Sequence, residues 1–179
     1  MRTFLITILA IWTCNCYAQT RKVKHFKMTV YSYIYDELYE QKTDTIAIGN
    51  KSIDIYSFKS YLNLPYGLPE KLTDEQHAGQ TIAENNPSAG SNYQSNWVNR
   101  YSYDSAGRLI NFSYSSCIAC SSLPYNYAIT YNSKGQVATI ISHPDSRNRF
   151  ECYYSTKGEI IKLAKYSSKL LETEITFIR

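Results

Sequence analysis

Cys117-Ile-Ala-Cys120 holds the residues whose types and spacing point most directly to chemistry. Two thiols at this spacing can cycle electrons as a thiol–disulfide couple where a helix N-terminus lowers one thiol pKa, or they can close as a structural bridge. Ser115-Ser116 and Ser121-Ser122 flank the pair, no helical periodicity follows it, and strand-like segments lie on either side. A structural disulfide clamping a loop is therefore expected, joining Cys117 to Cys120 or one of them to Cys152. Cys152 shares strand parity with Phe150 and Tyr154, which also suits an inert thiol on a core face. Zinc would need a fourth ligand, and Cys117, Cys120, His143 and Cys152 have no recognisable finger spacing. His143 precedes Pro144-Asp145 in a turn, and His77 sits among Asp74, Glu75 and Gln76, so both read as surface residues. No nucleophile elbow, metalloprotease helix motif, Walker loop or dinucleotide-binding glycine cluster occurs. The expectation is a protein that is not an enzyme, with no catalytic residue, no metal and no cofactor. A thiol oxidoreductase using Cys117 and Cys120 is the enzymatic alternative.

The residues that recur are turn formers. Three segments align: Tyr101 to Ile110, Ile129 to Ala138 and Cys152 to Ile161. Each has a Tyr (Tyr103, Tyr131, Tyr154), then a short polar residue (Asp104, Asn132, Ser155), two residues, and a Gly (Gly107, Gly135, Gly158). The short polar side chain can accept from backbone N–H groups ahead of it, and the Gly accepts positive φ. Together they specify a type I turn with a bulge, hence a β-hairpin. Period-2 alternation in the flanks supports this: Tyr125, Tyr127, Ile129 and Tyr131 share one parity, as do Leu171, Thr173, Ile175 and Phe177 against Glu172, Glu174 and Thr176. The two glutamates read as a solvated outer face. About seven strands are expected from residue 96 to the C-terminus.

On these residues the chain resembles the tandem YD repeats of the Rhs type found in large bacterial surface and toxin-delivery proteins. Tyr103-Asp104-Ser105-Ala106-Gly107-Arg108-Leu109 matches that pattern closely, whereas the later units replace Asp with Asn132 and Ser155, and Arg with Gln136 and Glu159. The resemblance covers the C-terminal 80 residues or so and implies a sheet of consecutive hairpins. Three degenerate copies do not enclose a toxin, so the shell function of the large proteins does not carry over.

The rest of the chain bounds the setting. Its 179 residues are 44% hydrophobic and 19% charged, enough for one ordinary core. A formal charge of +4, spread over isolated Lys and Arg, gives no footprint for nucleic acid. Arg2, the apolar run Phe4 to Trp12 and the small-residue end at Ala18 read as a signal peptide spanning 1–18, with a secreted or periplasmic chain from Gln19. A lipoprotein signal using Cys14 or Cys16 is the rival. No membrane-spanning segment is expected after cleavage.

The expected organisation is one domain over 19–179: strands over 19–63, a long polar loop over 64–96 and hairpin repeats over 97–179. Within the first part, Gly49-Asn50-Lys51 reads as the turn between strands 45–48 and 52–56. Within the loop, a short helix capped by Thr73 is expected at Thr73 to Ala78. Tyr31, Tyr33 and Tyr35 share a parity opposite to Phe26, Met28 and Val30, so the first strand is apolar or aromatic on both faces. If one face is uncovered, those three form a binding surface; the competing reading is that Tyr simply forms strands well. The fold class expected is all-β, an antiparallel meander of hairpins making a twisted sheet or open sandwich. The functional expectation is a non-enzymatic binding or structural module of the envelope or extracellular space with an unidentified protein or glycan partner. An immunity or inhibitor protein against a toxin or hydrolase is the alternative.

Overall fold

The computed structural model describes residues 24–48, 54–65, 67–85, 98–114, 125–143 and 146–178. The expected signal peptide, the Gly49-Asn50 turn, residues 86–97 of the expected loop, and both Cys117 and Cys120 lie outside the described residues.

Ten antiparallel strands make one open sheet among the described residues. They are β1 (Lys24–Ile34), β2 (Glu37–Ile48), β3 (Thr81–Asn85), β4 (Val98–Tyr103), β5 (Leu109–Tyr114), β6 (Tyr125–Tyr131), β7 (Val137–His143), β8 (Asn148–Tyr154), β9 (Ile160–Ser167) and β10 (Leu170–Ile178). Their order is β2-β1-β10-β9-β8-β7-β6-β5-β4-β3, so β3 to β10 run as a meander and the β1–β2 hairpin closes on β10. The all-β meander expected from the turn spacing is the architecture found, and seven of these strands follow residue 96.

Alternation decides which face is buried. Ile82, Tyr101, Phe112 and Tyr127 pair in one row across β3 to β6; Ile129, Ile140 and Phe150 pair in the next; Cys152, Leu163, Ile175 and Val30 in a third. The same face is covered by residues 54–65 and 67–80, whose Ile55, Phe58, Leu62, Leu64 and Leu68 are buried in that core. Phe58 packs on Phe177 of β10 with ring centroids 4.9 Å apart. Further along, Gly67 lies so close to Tyr114 of β5 that a Cβ there would come within 2.5 Å of its side chain. The cover thus spans the sheet from β10 to β5.

Three expectations are corrected here. The described part of the expected strand 52–56 is not a strand: Ile55–Phe58 is a 3-10 turn and Lys59–Leu62 is a single turn of α-helix, α1. Asp54 accepts from the Ser57 backbone N–H at 3.1 Å, and Ile55, Phe58 and Leu62 recur at helical spacing on the sheet side. Residues 64–85 are not an exposed polar loop, since Leu64 and Leu68 are buried and Thr81–Asn85 is the edge strand β3. A few well-spaced leucines are enough to hold a segment whose overall composition is polar. The short helix is a 3-10 turn, Glu75–His77, capped by Asp74 and not by Thr73; Thr73 forms a β-bridge with Arg108 instead.

Candidate functional site

The hairpin turns are built alike. Asp104 Oδ1 accepts from the Ala106 and Arg108 backbone N–H groups at 3.0 and 2.9 Å, and Asn132 Oδ1 does the same for Lys134 and Gln136 at 2.9 and 3.0 Å. Ser155, with its shorter side chain, reaches only the Glu159 N–H, at 3.2 Å. Gly107, Gly135 and Gly158 have φ of +71°, +74° and +83°, and the register shifts at Tyr103, Tyr131 and Tyr154, as a G1 bulge requires. Asp104 also binds Arg108, Nε to Oδ2 at 2.8 Å; in the second unit this ion pair becomes an amide pair, Asn132 Nδ2 to Gln136 Oε1 at 3.2 Å. The hydrogen bond from Arg108, then its backbone N–H, holds the Asp104 carboxyl below its ordinary range.

Neighbouring turns are stitched together. The Tyr131 hydroxyl donates to the Leu109 carbonyl at 2.8 Å, and the Tyr154 hydroxyl donates to the Val137 carbonyl, also at 2.8 Å, so the tyrosines of the second and third units each satisfy a backbone acceptor in the preceding unit. Gln136 Nε2 donates to the Gly158 carbonyl at 2.6 Å, while the Arg108 guanidinium stands 4.9 Å over the Tyr131 ring. Burial pushes the Tyr131 phenol up to about 12. The first unit has no predecessor, and residues 72–80 take that place. Asp74 N–H donates to the Gly107 carbonyl at 2.7 Å, Leu109 N–H to Leu72 O at 2.9 Å, Gly79 N–H to Asp104 O at 2.8 Å and Tyr103 N–H to Gln80 O at 2.9 Å. His77, 2.8 Å from Asp74 Oδ2, stacks on Tyr103. This end segment does for the array what a capping repeat does in a solenoid.

The opposite face carries no covering element among the described residues. There Tyr153 pairs with Lys162 across β8 and β9, with Lys162 Nζ 4.4 Å over the ring, and Lys162 reaches Glu174 of β10 at 3.4 Å. Beside them Arg149 pairs with Tyr166, its guanidinium 4.3 Å over that ring, and Glu151 stands 3.1 Å from Arg149 Nε while accepting from the Tyr153 hydroxyl. That hydrogen bond and burial raise the Tyr153 pKa. Ala164, opposite both Glu151 and Glu174, forms the buried floor between these larger side chains. Tyr31 pairs with Glu174 on the same face and Tyr33 follows it, both half-buried; burial and then Glu174 raise the Tyr33 pKa. The result is a stripe of aromatic rings, cations and carboxylates with their polar ends outward.

Of the residues singled out in the sequence, Tyr31 and Tyr33 lie on this face, but Tyr35 does not. The strand ends at Ile34, and Tyr35 turns the hairpin with φ of +52°, its side chain 84% exposed. Glu174 and Glu172 are not a merely solvated pair: Glu172, the extra residue at the β10 register shift, reaches Lys165 on the covered face at 2.7 Å. Arg149, Tyr153, Lys162 and Tyr166 are not among the residues that the inward parity of Phe150, Cys152 and Tyr154 singles out; the intervening positions of the same strands carry their signal. Cys152 is a free buried thiol, so the bridge to Cys152 is not formed, and burial pushes its pKa up to about 12, away from reactive thiolate. Among the described residues no group of three or more His, Cys, Asp or Glu is placed to hold a metal ion. No helix there is long and apolar enough to cross a membrane. Set against protein-family models, curated proteins and solved structures, the chain finds no match in any of the three.

Proposed function

We propose that this chain is a secreted, non-enzymatic binding module of the bacterial envelope or extracellular space, a short YD-like hairpin array that engages a protein or glycan partner with the open face of its sheet. The observation that carries the reading is the asymmetry of the two faces. One is sealed by residues 54–65 and 67–80 over aliphatic and aromatic side chains, whereas the other displays Tyr31, Tyr33, Tyr153 and Tyr166 among Arg149, Lys162, Glu151 and Glu174. Tyrosine combines apolar area with a polar tip at low entropic cost, and arginine adds a planar donor fork, which makes both residues of binding hot spots. The YD-like reading is supported by the shared turn chemistry at Asp104, Asn132 and Ser155; the secretion reading is supported by the N-terminal 18 residues. The test is capture of envelope components by the immobilised chain. A component retained by the wild type and lost in Tyr153→Ser/Tyr31→Ser, at unchanged thermal stability, supports the reading; retention indifferent to these substitutions refutes it. N-terminal sequencing of the exported chain tests the start at Gln19.

A second reading has its own observation. The β1–β2 hairpin tip exposes Ile34, Tyr35, Leu38 and Tyr39 at 50%, 84%, 55% and 72%. Four large apolar side chains on a projecting turn suit insertion into a groove, the mode of an inhibitor or immunity protein. Tyr35→Ser/Tyr39→Ser would abolish binding on that reading and leave it intact on the first.

A further inference from the structure

The strand β2 stands at one end of the sheet order, and no element among the described residues pairs with its outer edge. It is 12 residues long, whereas β3 at the opposite edge has 5. An edge of that length offers a row of backbone N–H and C=O groups to any passing strand, and proteins protect such edges with short strands, bulges or charges. A bulge lies near the start of β2, where Tyr39 has no opposite residue in β1, and regular pairing runs from Glu40 to Ile48. Residues 40–45 of that run are all exposed. Glu40, Lys42 and Asp44 alternate in sign along one face, and the residues opposite them in β1 are Ser32, Val30 and Met28, none of them charged. Gln41, Thr43 and Thr45 take the other face, beside Tyr31, Thr29 and Lys27.

We infer that two copies of this chain join edge to edge through β2, antiparallel about a twofold axis at Thr43. The backbone sets the first condition. Only alternate residues of an edge strand turn their N–H and C=O outward, so residues facing each other across an antiparallel self-pair share parity and the twofold falls on a residue. The side chains set the second. A twofold at Lys42 opposes Lys42 to Lys42 and Glu40 to Asp44, one at Asp44 opposes two carboxylates, one at Thr45 forms no ion pair, and one at Gln41 meets the bulge after a single residue on either side. At Thr43, Lys42 of each copy faces Asp44 of the other, Gln41 faces Thr45, Thr43 faces Thr43 and Glu40 meets Ile46, with no irregularity in between. Opposite charges and hydroxyl pairs directly across strands are favourable, and like charges are not. The charges that turn away other strands therefore admit this one. The twofold stands perpendicular to the sheet, so two ten-stranded sheets continue as one with both open faces on the same side. A surface that displays a ligand repeatedly then meets two open faces at once, although the pairing itself stands whether or not that face binds a partner.

The test is sedimentation velocity of the full chain from about 1 to 500 μM, because an edge-to-edge pair buries less than the ~1,600 Å² of a standard interface and should dissociate in about the 10–100 μM range. Reversible dimerisation is expected. Lys42→Glu and Asp44→Lys should each weaken it at least about tenfold by setting like charges across the pair, with far-UV circular dichroism unchanged because both side chains are exposed. Mixing the two variants should restore dimers, since a Lys42→Glu chain then meets opposite charge at both positions of an Asp44→Lys chain. Lys157→Glu, the same charge change on the exposed β8–β9 turn, should dimerise like the wild type. A chain that stays monomeric throughout overturns the pairing, and so does a dimer indifferent to both Lys42→Glu and Asp44→Lys. Two weakened variants that do not complement each other on mixing refute the twofold at Thr43. A monomeric wild type that captures an envelope protein, with capture lost in Lys42→Glu, assigns the edge to a foreign strand and refutes the self-pair.

Discussion

Replacing each repeat glycine by alanine separates the turn from what packs on it. All three glycines have positive φ, which costs an alanine about 1–2 kcal/mol, partly offset by the ~0.4–1 kcal/mol gained from a less flexible unfolded chain. Gly135 has only the Arg108 guanidinium near its missing Cβ, at 3.8 Å, and Gly158 has only Gln136, at 3.5 Å or more. For these two the net loss should be about 1 kcal/mol. Gly107 differs because an added Cβ would lie 2.7 Å from the Asp74 carbonyl oxygen and 3.0 Å from Glu75 Cα, both backbone. That backbone is pinned by Asp74 N–H to Gly107 O at 2.7 Å and by Leu109 N–H to Leu72 O at 2.9 Å. Shifting it weakens one or two hydrogen bonds worth about 1 kcal/mol each and adds overpacking of the order of 1 kcal/mol. Gly107→Ala should therefore cost about 3–4 kcal/mol. Urea unfolding followed by far-UV circular dichroism gives the three values, and at about 2–4 °C per kcal/mol the melting temperatures should rank the same way. Three equal losses, or Gly107→Ala the mildest, would refute the end-capping role of residues 72–80.

Three further predictions follow from the same contacts. Asp104→Asn should lower stability at pH 7, because the turn bonds seen at Asn132 remain but the carboxylate paired with Arg108 is lost, and the difference from the wild type should shrink in acid. The Asp104 pKa is lowered in the fold, so its stabilisation is present above the ordinary carboxylate range near 4 and is lost as pH falls below it; unfolding from pH 6 to pH 2 in both proteins checks this. Phe58→Ala should cost about 3–5 kcal/mol, since Phe58 is 1% exposed and anchors the cover on Phe177; a loss under about 1 kcal/mol would mean the cover is not docked. Cys152, raised from 9.0 to about 12, favours its neutral form in the fold, so its contribution is complete below pH 9 and erodes as pH rises towards 12. Alkylation at pH 8 should be slow until denaturant is added, and fast labelling of the native chain would contradict the burial.

The hairpins were legible in the sequence because turn chemistry is local: Asp104 and Gly107 lie three residues apart and specify their bend without help from elsewhere. The face assignment of Phe150, Cys152, Ile175 and their neighbours followed from alternation alone. Residues 54–80 were not legible, because Ile55, Phe58, Leu64 and Leu68 gain their order only from a sheet face assembled largely from later strands. Asp74 falls in the first turn of the helix expected from Thr73, yet its backbone N–H bonds the Gly107 carbonyl, a partner more than thirty residues away. The open-face stripe was hidden for a similar reason. Arg149 with Tyr166, and Lys162 with Glu174, meet only once the β8–β9 and β9–β10 registers are set, and register depends on the bulges at Tyr154 and Glu172. Tyr35 was misplaced because a left-handed Tyr-Asp turn has no strong local signal.

The most direct test of the open-face account is quantitative binding of an envelope component captured by the wild-type chain, compared between Tyr153→Ser/Tyr31→Ser on that face and Tyr35→Ser/Tyr39→Ser at the hairpin tip. The account predicts at least a tenfold loss for the first pair, about 1.4 kcal/mol, and no change for the second, with both variants folded. The reverse pattern would contradict it.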